Sequence, residues 1–300
     1  MKETYVLHLS DLHIGKNGKA KGLNTVVGLV LEHYEPGKTI ILITGDITEH
    51  GQKKQFRLAR KILEPLYAKF EVLCVPGNHD YGYLGNHAEK RRFKHFKRFL
   101  FGPFENVSYP HIKLFNEHIF IGLNSMKGEL GELDSFWADG EIGAKQLKSL
   151  DGVLGRIEDL HQPWRKVFVY LHHHPFFFAD NDLRRKIFEK LFFELKDGEK
   201  LMQICAGRID ALLFGHKHNH ISFCETSLCQ DWNIPVILSC TQSSDRDTED
   251  VIKEKPAKKS CLRNRELTWE RENGEKGLLG HLIIIPDDSD MPLKTKTVVF

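Results

Sequence analysis

The stretch Ser10-Asp11-Leu12-His13-Ile14-Gly15 follows directly on the apolar run Tyr5-Val6-Leu7-His8-Leu9. A short run that is apolar on both faces reads as a buried strand. Where it stops, an aspartate and a histidine stand two positions apart, followed by a glycine. Such a pair is either loop decoration or one half of a metal site. The rest of the chain decides between these readings.

The same pattern repeats outward from this stretch. Thr39 to Thr44 reads as a buried strand and ends in Gly45-Asp46; Glu71 to Val75 reads as another and is followed by Gly77-Asn78-His79-Asp80. Helical periodicity from Leu23 to Tyr34 and from Gln52 to Ala68, interrupted late by Pro65, separates the three. This alternation predicts a parallel sheet with right-handed crossovers. Glu89 to Leu100 is helical again. Short strands are then expected at Val107–Tyr109, Ile112–Phe115 and Ile119–Leu123, with Asn116-Glu117 as a hairpin turn between the last two. Further on, Gly143–Leu160 and Leu183–Leu195 read as helices. Val167–Leu171, Ala211–Phe214, Ile221–Cys224 and Pro235–Cys240 read as strands. Asp245 to Gly277 is dense in charge and poor in core residues, which predicts a solvated loop or insert. Leu278–Pro286 and Thr295–Phe300 read as a closing strand pair. No repeat and no linker divides the chain, so residues 1–300 are expected to form one domain of two packed sheets with helices outside.

Bulk composition narrows the function classes. The hydrophobic fraction of 41% supports a sizeable core. Lys+Arg (43) nearly balances Asp+Glu (41), which removes a whole-protein electrostatic handle for nucleic acid or membrane. No stretch approaches the roughly 18 apolar residues a spanning helix needs, and the start of the chain lacks a signal-peptide pattern. The six cysteines show no paired CxxC spacing, and Cys74 and Cys240 sit in apolar runs. Reduced thiols and a cytoplasmic location are the expectation.

Ligands of open α/β sheets gather beyond the carboxyl ends of the strands. Asp11 and His13, Asp46, and Asn78-His79-Asp80 all lie there. So do His172-His173-His174-Pro175 after Val167–Leu171, and Gly215-His216-Lys217-His218 after Ala211–Phe214. Any one of these is an ordinary polar loop. Together, at the place where a parallel sheet converges, they are poorly explained as independent accidents. Imidazoles, carboxylates and an amide oxygen without thiolate suit two divalent ions, with manganese, iron or zinc all compatible. Two ions about 3.5–4 Å apart can clamp an in-line phosphoryl displacement and lower the pKa of a bridging water.

These motifs, Asp11-Leu12-His13, Gly45-Asp46, Gly77-Asn78-His79-Asp80, the His-x-Pro ending at Pro175 and Gly215-His216-Lys217-His218, together resemble the calcineurin-like metallophosphoesterase superfamily. Gly140-Glu141-Ile142-Gly143 through Gln146-Leu147 further resembles a segment in the branch containing bacterial cyclic-nucleotide phosphodiesterases. The resemblance implies a four-layer α/β/β/α sandwich of two mixed sheets flanked by helices. It implies that Asp11, His13 and His218 hold one metal ion, that Asn78, a middle histidine and His216 hold the other, and that Asp46 bridges them. His79 would contact the phosphoryl oxygen or protonate the leaving group, with Asp80 as its orienting partner. Of the three consecutive histidines, the His-x-Pro spacing selects His173, and strand alternation would send His172 and His174 to the other side. His174 could still reach substrate from the loop.

The expected activity is therefore metal-dependent phosphoester hydrolysis, with a small phosphodiester such as a nucleotide as the leading substrate and a dimetal-activated water as nucleophile. A nuclease acting on DNA or RNA ends and a phosphomonoesterase are the competing enzymes. A binding scaffold on a decayed site ranks lowest, because no ligand position is missing. Lys90 to Leu100 places Phe93, Phe96 and Leu100 at helical spacing, the mark of an amphipathic helix with a buried aromatic face and a solvated basic one. Its basic edge follows the Gly77–Asp80 motif closely and would draw anionic substrates. Phe176-Phe177-Phe178 is expected to pack in the core or line an apolar pocket, and His220 to sit on a strand face.

Overall fold

A computed structural model describes residues 3–16, 19–82, 90–102, 107–126, 140–162, 164–176, 195–218, 220–224, 227–244, 278–288 and 291–300. Two sheets lie face to face. The first has the order β11-β10-β1-β2-β3, in which β1 (Thr4–Leu9), β2 (Thr39–Thr44) and β3 (Glu71–Val75) run parallel. β10 (Leu279–Ile285) and β11 (Lys294–Val299) extend it antiparallel. The second has the order β4-β5-β6-β7-β9-β8. Here β5 (His118–Gly122), β6 (Val167–Tyr170), β7 (Ala211–Phe214) and β9 (Val236–Ser239) are parallel, while β4 (His111–Phe115) and β8 (Ile221–Ser222) pair antiparallel at the edges.

Strand alternation builds the layers. In β1 to β3, Leu7, Leu9, Ile41, Ile43, Val72 and Cys74 face outward to α1 (Lys19–His33), α2 (Lys53–Tyr67) and α4 (Lys90–Leu100). Their neighbours Val6, Ile40, Leu42, Leu73 and Val75 face inward, where they meet Phe120, Phe168, Tyr170, Leu213 and Leu238 of the second sheet. Outward residues of that sheet, among them Val169, Leu212 and Ile237, pack on α5 (Ala144–Asp159), α6 (Gly198–Cys205) and α7 (Ser227–Trp232). The result is the α/β/β/α sandwich of two mixed sheets. Each fully buried Leu, Ile or Val stabilises it by about 1.5–3 kcal/mol relative to exposure. In α4 the aromatic face packs as the periodicity predicts, with Phe96 and Leu100 buried beneath the first sheet's helices.

Some expected elements differ. Val107 to Tyr109 forms no strand, although Val107 and Tyr109 are buried between the sheets. The strand expected at Ile221–Cys224 shortens to an edge strand of two residues, Ile221 and Ser222, paired with Ser239 and Leu238 of β9, although Phe223 N still donates to Ile237 O at 2.9 Å. The helix Ser227–Trp232 is not among the expected elements; it is short, and Leu228, Cys229 and Trp232 pack it on the core outside the second sheet. The expected helix at 183–195 (apart from Leu195), Phe177 and Phe178, and the charged segment 245–277 lie outside the described residues. Among the described residues no helix is long and apolar enough to cross a membrane.

Candidate metal centre

Every predicted site residue arrives at one edge, where the carboxyl ends of both sheets' parallel strands meet. The chain turns sharply there. Asp11 (φ 52°), His13 (φ 45°), Asp46 (φ 48°), His216 (φ 76°) and His218 (φ 55°) all take left-handed backbone conformations that non-glycine residues rarely adopt. Strain of this kind costs on the order of 1 kcal/mol or more per residue and persists only where surroundings fix it. Here the fixing bonds are Asp11 N to Gly45 O (3.1 Å), His13 N to Asp46 O (2.9 Å) and His216 N to Asp11 Oδ2 (3.1 Å). Glycine is required at one crossing: a Cβ on Gly77 would meet Asp46 Oδ1 at 2.2 Å.

The donor atoms converge in two groups. In the first, His218 Nε2 lies 3.3 Å from Asp11 Oδ1 and 3.1 Å from His13 Nε2. His13 Nε2 is 3.7 Å from Asp46 Oδ2. In the second, Asn78 Oδ1 lies 3.0 Å from His172 Nε2 and 3.2 Å from His216 Nδ1, and His172 Nε2 is 3.4 Å from Asp46 Oδ2. Asp46 Oδ2 thus faces both groups. With metal–ligand bonds of about 2.1 Å, neighbouring ligand atoms on one ion sit about 3–3.4 Å apart, which is the spacing within the second group, while separations in the first run from 3.1 to 3.9 Å. Asp11 Oδ1 is buried and makes no well-formed hydrogen bond. The clusters Asp11–His13–His218 and Asp11–Asp46–His172 have the composition and closeness to hold metal. The residues present fit a pair of divalent ions.

Electrostatics agree with this arrangement. Burial opposes ionisation of Asp46, but facing His172, His79 and His13 outweigh it and hold the carboxyl well below its usual range. Burial also works to lower the pKa of His172, yet Asp46 and then Asp11 push its imidazole up to about 9. These groups attract one another strongly without an ion between them. His216 goes the other way: burial, then His173 and His172, hold it well below the usual range, so it stays neutral and able to ligate.

Around these atoms runs a set of orienting bonds. Glu49 accepts from His13 Nδ1 at 2.7 Å, and the carbonyl of Thr44 from His172 Nδ1 at 2.7 Å. Gln242 Nε2 lies 2.8 Å from His218 Nδ1, and buried Lys19 Nζ donates to Gln242 Oε1 at 2.6 Å. The amide of His79 donates to Asp46 Oδ1 at 2.9 Å, which leaves Oδ2 to face the two groups. Such partners fix the tautomer and aim of ligands.

Three expectations differ from the geometry. The ring nitrogen that converges with both Asp46 and Asn78 is that of His172. His173 hydrogen-bonds Ser125 Oγ through Nδ1 at 2.7 Å, and it also groups with His172 and His216 closely enough to hold a metal. Alternation fails as a guide because β6 ends at Tyr170 and the three histidines lie beyond it. His174 does not reach toward substrate: it is buried, packs its ring on Phe214 and meets Ser239 Oγ at 3.2 Å. Asp80 does not orient His79. Both sit in the single helical turn α3 (Asn78–Tyr81), where adjacent residues point apart. The Asp80 carboxylate accepts instead from Ile47 N, Thr48 N, Thr48 Oγ1 and Gly77 N, and the partner of His79 Nδ1 is the carbonyl of Glu49 at 2.9 Å.

Sequence reasoning ranked His173 above His172 and did not single out Glu49, Gln242 or Lys19. A signal for two of them existed. Gln242 follows the end of β9, a sixth parallel strand end, and Glu49 stands three residues after Asp46. Nothing in the sequence points to Lys19. Phe176, by contrast, packs edge-on against Phe214 and Phe223 in the core, and His220 stacks on His281 away from the donor atoms.

Comparison with known proteins points to one family. The chain is 26% identical over 269 residues, 84% of its own length and 83% of the relative's, to a probable glycerophosphodiester phosphodiesterase, GpdQ, of Arcobacter nitrofigilis. A shorter match, 32% identical over 78 residues, joins 25% of this chain to 33% of a probable cyclic nucleotide phosphodiesterase of Vesicomyosocius okutanii. GAP50, the anchor in the inner membrane complex of Plasmodium, shares the fold with a TM-score of 0.54 at 12% identity, covering 100% of this chain and 85% of its own. The family model for calcineurin-like phosphoesterases matches residues 4–220, and with the Asp, Asn and His cluster at the sheet edge the chain belongs to the calcineurin-like phosphoesterases, metal-dependent hydrolases of phosphoester bonds.

Proposed function

We propose that this chain is a phosphodiesterase acting on small diesters, with two divalent ions held by Asp11, His13, Asp46 and His218 on one side and by Asp46, Asn78, His172 and His216 on the other. The observation that carries the metal assignment is the position of Asp46 Oδ2, 3.7 Å from His13 Nε2 and 3.4 Å from His172 Nε2. Manganese, iron or zinc suits the nitrogen and oxygen donor set. When bound, such a pair supplies a water of lowered pKa and neutralises charge on the phosphoryl oxygens.

The chain's own residues do the rest. Asp46 and Asp11 place carboxylate oxygens at fixed points, held by strained turns that leave little freedom to rearrange, and Asn78 adds an amide oxygen from the start of α3. His79 lies at the rim of this cluster, half-buried, beside His13 and Asp46. Its Nδ1 donates to the Glu49 carbonyl, so Nε2 is the nitrogen left to face substrate, and the doubly protonated ring would donate from it to a phosphoryl oxygen or give that proton to the departing alkoxide. Beside it, Arg92 of α4 donates to the carbonyl of His50. Lys53, Arg91, Arg98 and Arg92 crowd His95 closely enough to depress it further after burial. This basic edge supports an anionic substrate approaching from the α4 side.

The diester preference is supported by the relative that aligns over most of both chains. Hydrolysis of bis(p-nitrophenyl) phosphate beside p-nitrophenyl phosphate, in metal-stripped protein and after Mn²⁺ is added, tests it. Metal-dependent diester cleavage, abolished in Asp46→Ala while the variant stays folded, is the expected result. A preference for the monoester replaces the proposal with a phosphatase. Salt-sensitive cleavage of labelled oligonucleotide ends in place of small diesters replaces it with a nuclease.

A further inference from the structure

Beyond β9 the chain runs through Thr241-Gln242-Ser243-Ser244, four polar residues in a row that are all buried. Burying polar side chains is costly unless they are hydrogen-bonded, and each of these is. Thr241 Oγ1 donates to the carbonyl of His218 at 2.6 Å. Gln242 Oε1 accepts from Lys19 Nζ at 2.6 Å, and its Nε2 lies against the His218 ring. Ser243 Oγ accepts from Ser10 N at 3.1 Å, while Ser243 N donates to Ser10 O at 3.0 Å. Ser244 Oγ donates to the carbonyl of Leu12 at 2.6 Å. α1 passes close enough that a Cβ on Gly22 would collide with the Ser244 carbonyl. The stretch is a strap, laced to the two loops that carry Asp11, His13 and His218.

We propose that this strap is the positioning device of the first ion, the one assigned to Asp11, His13, Asp46 and His218, and that Gln242, held in place by Lys19, is its central residue. The inference rests on the two-ion reading given above. The strap's partners Ser10, Leu12 and His218 belong to the loops of that ion, and Lys19 begins the helix that follows the first of them. On the second ion's side, the carbonyl of Thr44 takes the corresponding part by accepting from His172 Nδ1.

Burial shows why the first ion needs such a device. The His218 side chain is 35% exposed, whereas those of Asp11, His13 and Asp46 are 3% exposed or less. Enclosed ligands have few rotamers open to them; His218 has room to swing toward solvent. An ammonium offers only donors, so Lys19 turns Gln242 Oε1 toward itself and sets the amide nitrogen at the edge of the imidazole, 2.8 Å from Nδ1 and 3.2 Å from Nε2. There the carboxamide keeps the ring beside Asp11 Oδ1, which lies 3.3 Å from His218 Nε2. Ser10 does the same for the aspartate. Fixed through its backbone by Ser243, it donates from Oγ to Asp11 Oδ2 at 2.5 Å, which leaves Oδ1 turned to His218.

The test uses the intact chain, stripped of metal and titrated with Mn²⁺. Calorimetry reads the binding, and EPR separates an exchange-coupled pair of ions from a single one. Wild type should take up two ions as a coupled pair. Gln242→Ala and Lys19→Met should bind the first ion roughly 10–100-fold more weakly, as loss of a ligand's supporting partner typically does. They should keep the affinity of the second ion and show the uncoupled spectrum of one ion at Mn²⁺ levels that saturate wild type. Gln242→Glu, which keeps an oxygen for Lys19 and the length of the side chain, should restore the pair. Adding Gln242→Ala to His172→Ala, in which the first ion is the one retained, should remove that ion too. Lys19→Met keeps its aliphatic stem and carries the reading if Gln242→Ala does not fold. Two ions bound at wild-type affinity in the variants, or equal weakening of both ions, overturns the proposal and leaves the dimetal centre standing. Wild type that binds fewer than two ions overturns the dimetal reading, and the strap's role with it.

Discussion

Glu49 grips His13 twice over, directly and through its neighbour. Its carboxylate accepts from His13 Nδ1 at 2.7 Å, and its backbone carbonyl accepts from His79 Nδ1 at 2.9 Å, while the His13 and His79 rings meet edge to face with centroids 4.6 Å apart. One residue therefore sets the aim of a proposed metal ligand and of the proposed proton donor. Removing the carboxylate frees the His13 ring but leaves the carbonyl in place. Glu49→Ala should weaken metal binding by roughly 10–100-fold, as loss of a ligand's hydrogen-bond partner typically does. Glu49→Gln, whose amide oxygen still accepts, should lose much less. Metal titration calorimetry on stripped protein reads this directly, and equal affinity in all three proteins would remove Glu49 from the site.

The histidine tract gives a sharper contrast. His172 Nε2 sits 3.0 Å from Asn78 Oδ1, whereas His173 turns Nδ1 to Ser125 Oγ and lays its ring against Gly140. His172→Ala should lose the second ion and lower diester turnover more than 100-fold, the scale expected when a centre that stabilises transition-state charge is dismantled. His173→Ala should keep its metal and show instead a lower melting temperature, because it opens a cavity in a packed wall. Metal content by elemental analysis separates the two. If metal survives His172→Ala but collapses in His173→Ala, the ligand assignment reverses.

This contrast also shows where the sequence ceased to inform. Buried strands, their order and their carboxyl ends are readable because short continuous apolar runs such as Thr39–Thr44, buried on both faces and followed by glycine, leave few alternatives. Each candidate ligand sat at one of those ends, so the cluster was legible as a list of residues. What the list could not carry was direction. His172 and His173 are chemically identical and adjacent, and the strand rule that would have ranked them stops at Tyr170. The same holds for Asp80, whose neighbour in sequence is His79 but whose neighbours in space are amides of another loop. Lys19 reaches toward His218 through Gln242, 223 positions further along the chain, a relation that no local pattern records.

Asp80 follows as a structural prediction. Its carboxylate takes hydrogen bonds from Ile47 N (3.2 Å), Thr48 N (2.9 Å), Thr48 Oγ1 (2.9 Å) and Gly77 N (3.1 Å), all buried. Burial first, and Asp46 second, push its pKa up to about 6 despite these donors. Asp80→Ala would strand three backbone amides, each costing about 1–3 kcal/mol when left unsatisfied. The variant should unfold at lower denaturant and lose activity along with folded protein. If Asp80→Ala stays as stable as wild type but turns over slowly, Asp80 acts in the chemistry after all.

The last prediction concerns acid. His281 on β10 pairs in register with His8 on β1, stacks on His220 with ring centroids 3.8 Å apart, and meets the carbonyl of Ser239 through Nε2 at 2.8 Å. Burial brings its pKa down to about 4, against 6.5 for a free imidazole. Between these values the unfolded chain binds a proton at this residue that the folded chain does not. By linkage, stability then rises with pH across the window. The contribution is fully present above about pH 6.5 and is lost as pH falls toward 4. A shift of this size corresponds to something on the order of 3 kcal/mol. His8 and His220 face the same ring and are likewise held neutral by burial, so wild type should lose stability steeply over this range. His281→Gln still offers a donor to the Ser239 carbonyl but cannot titrate. Denaturant melts of metal-stripped protein at pH 7, 5.5 and 4.5 should therefore show a shallower acid loss in the variant, whatever its stability at pH 7. Parallel pH profiles for the two proteins would mean that the imidazole at 281 takes up its proton without opening the interface between the sheets.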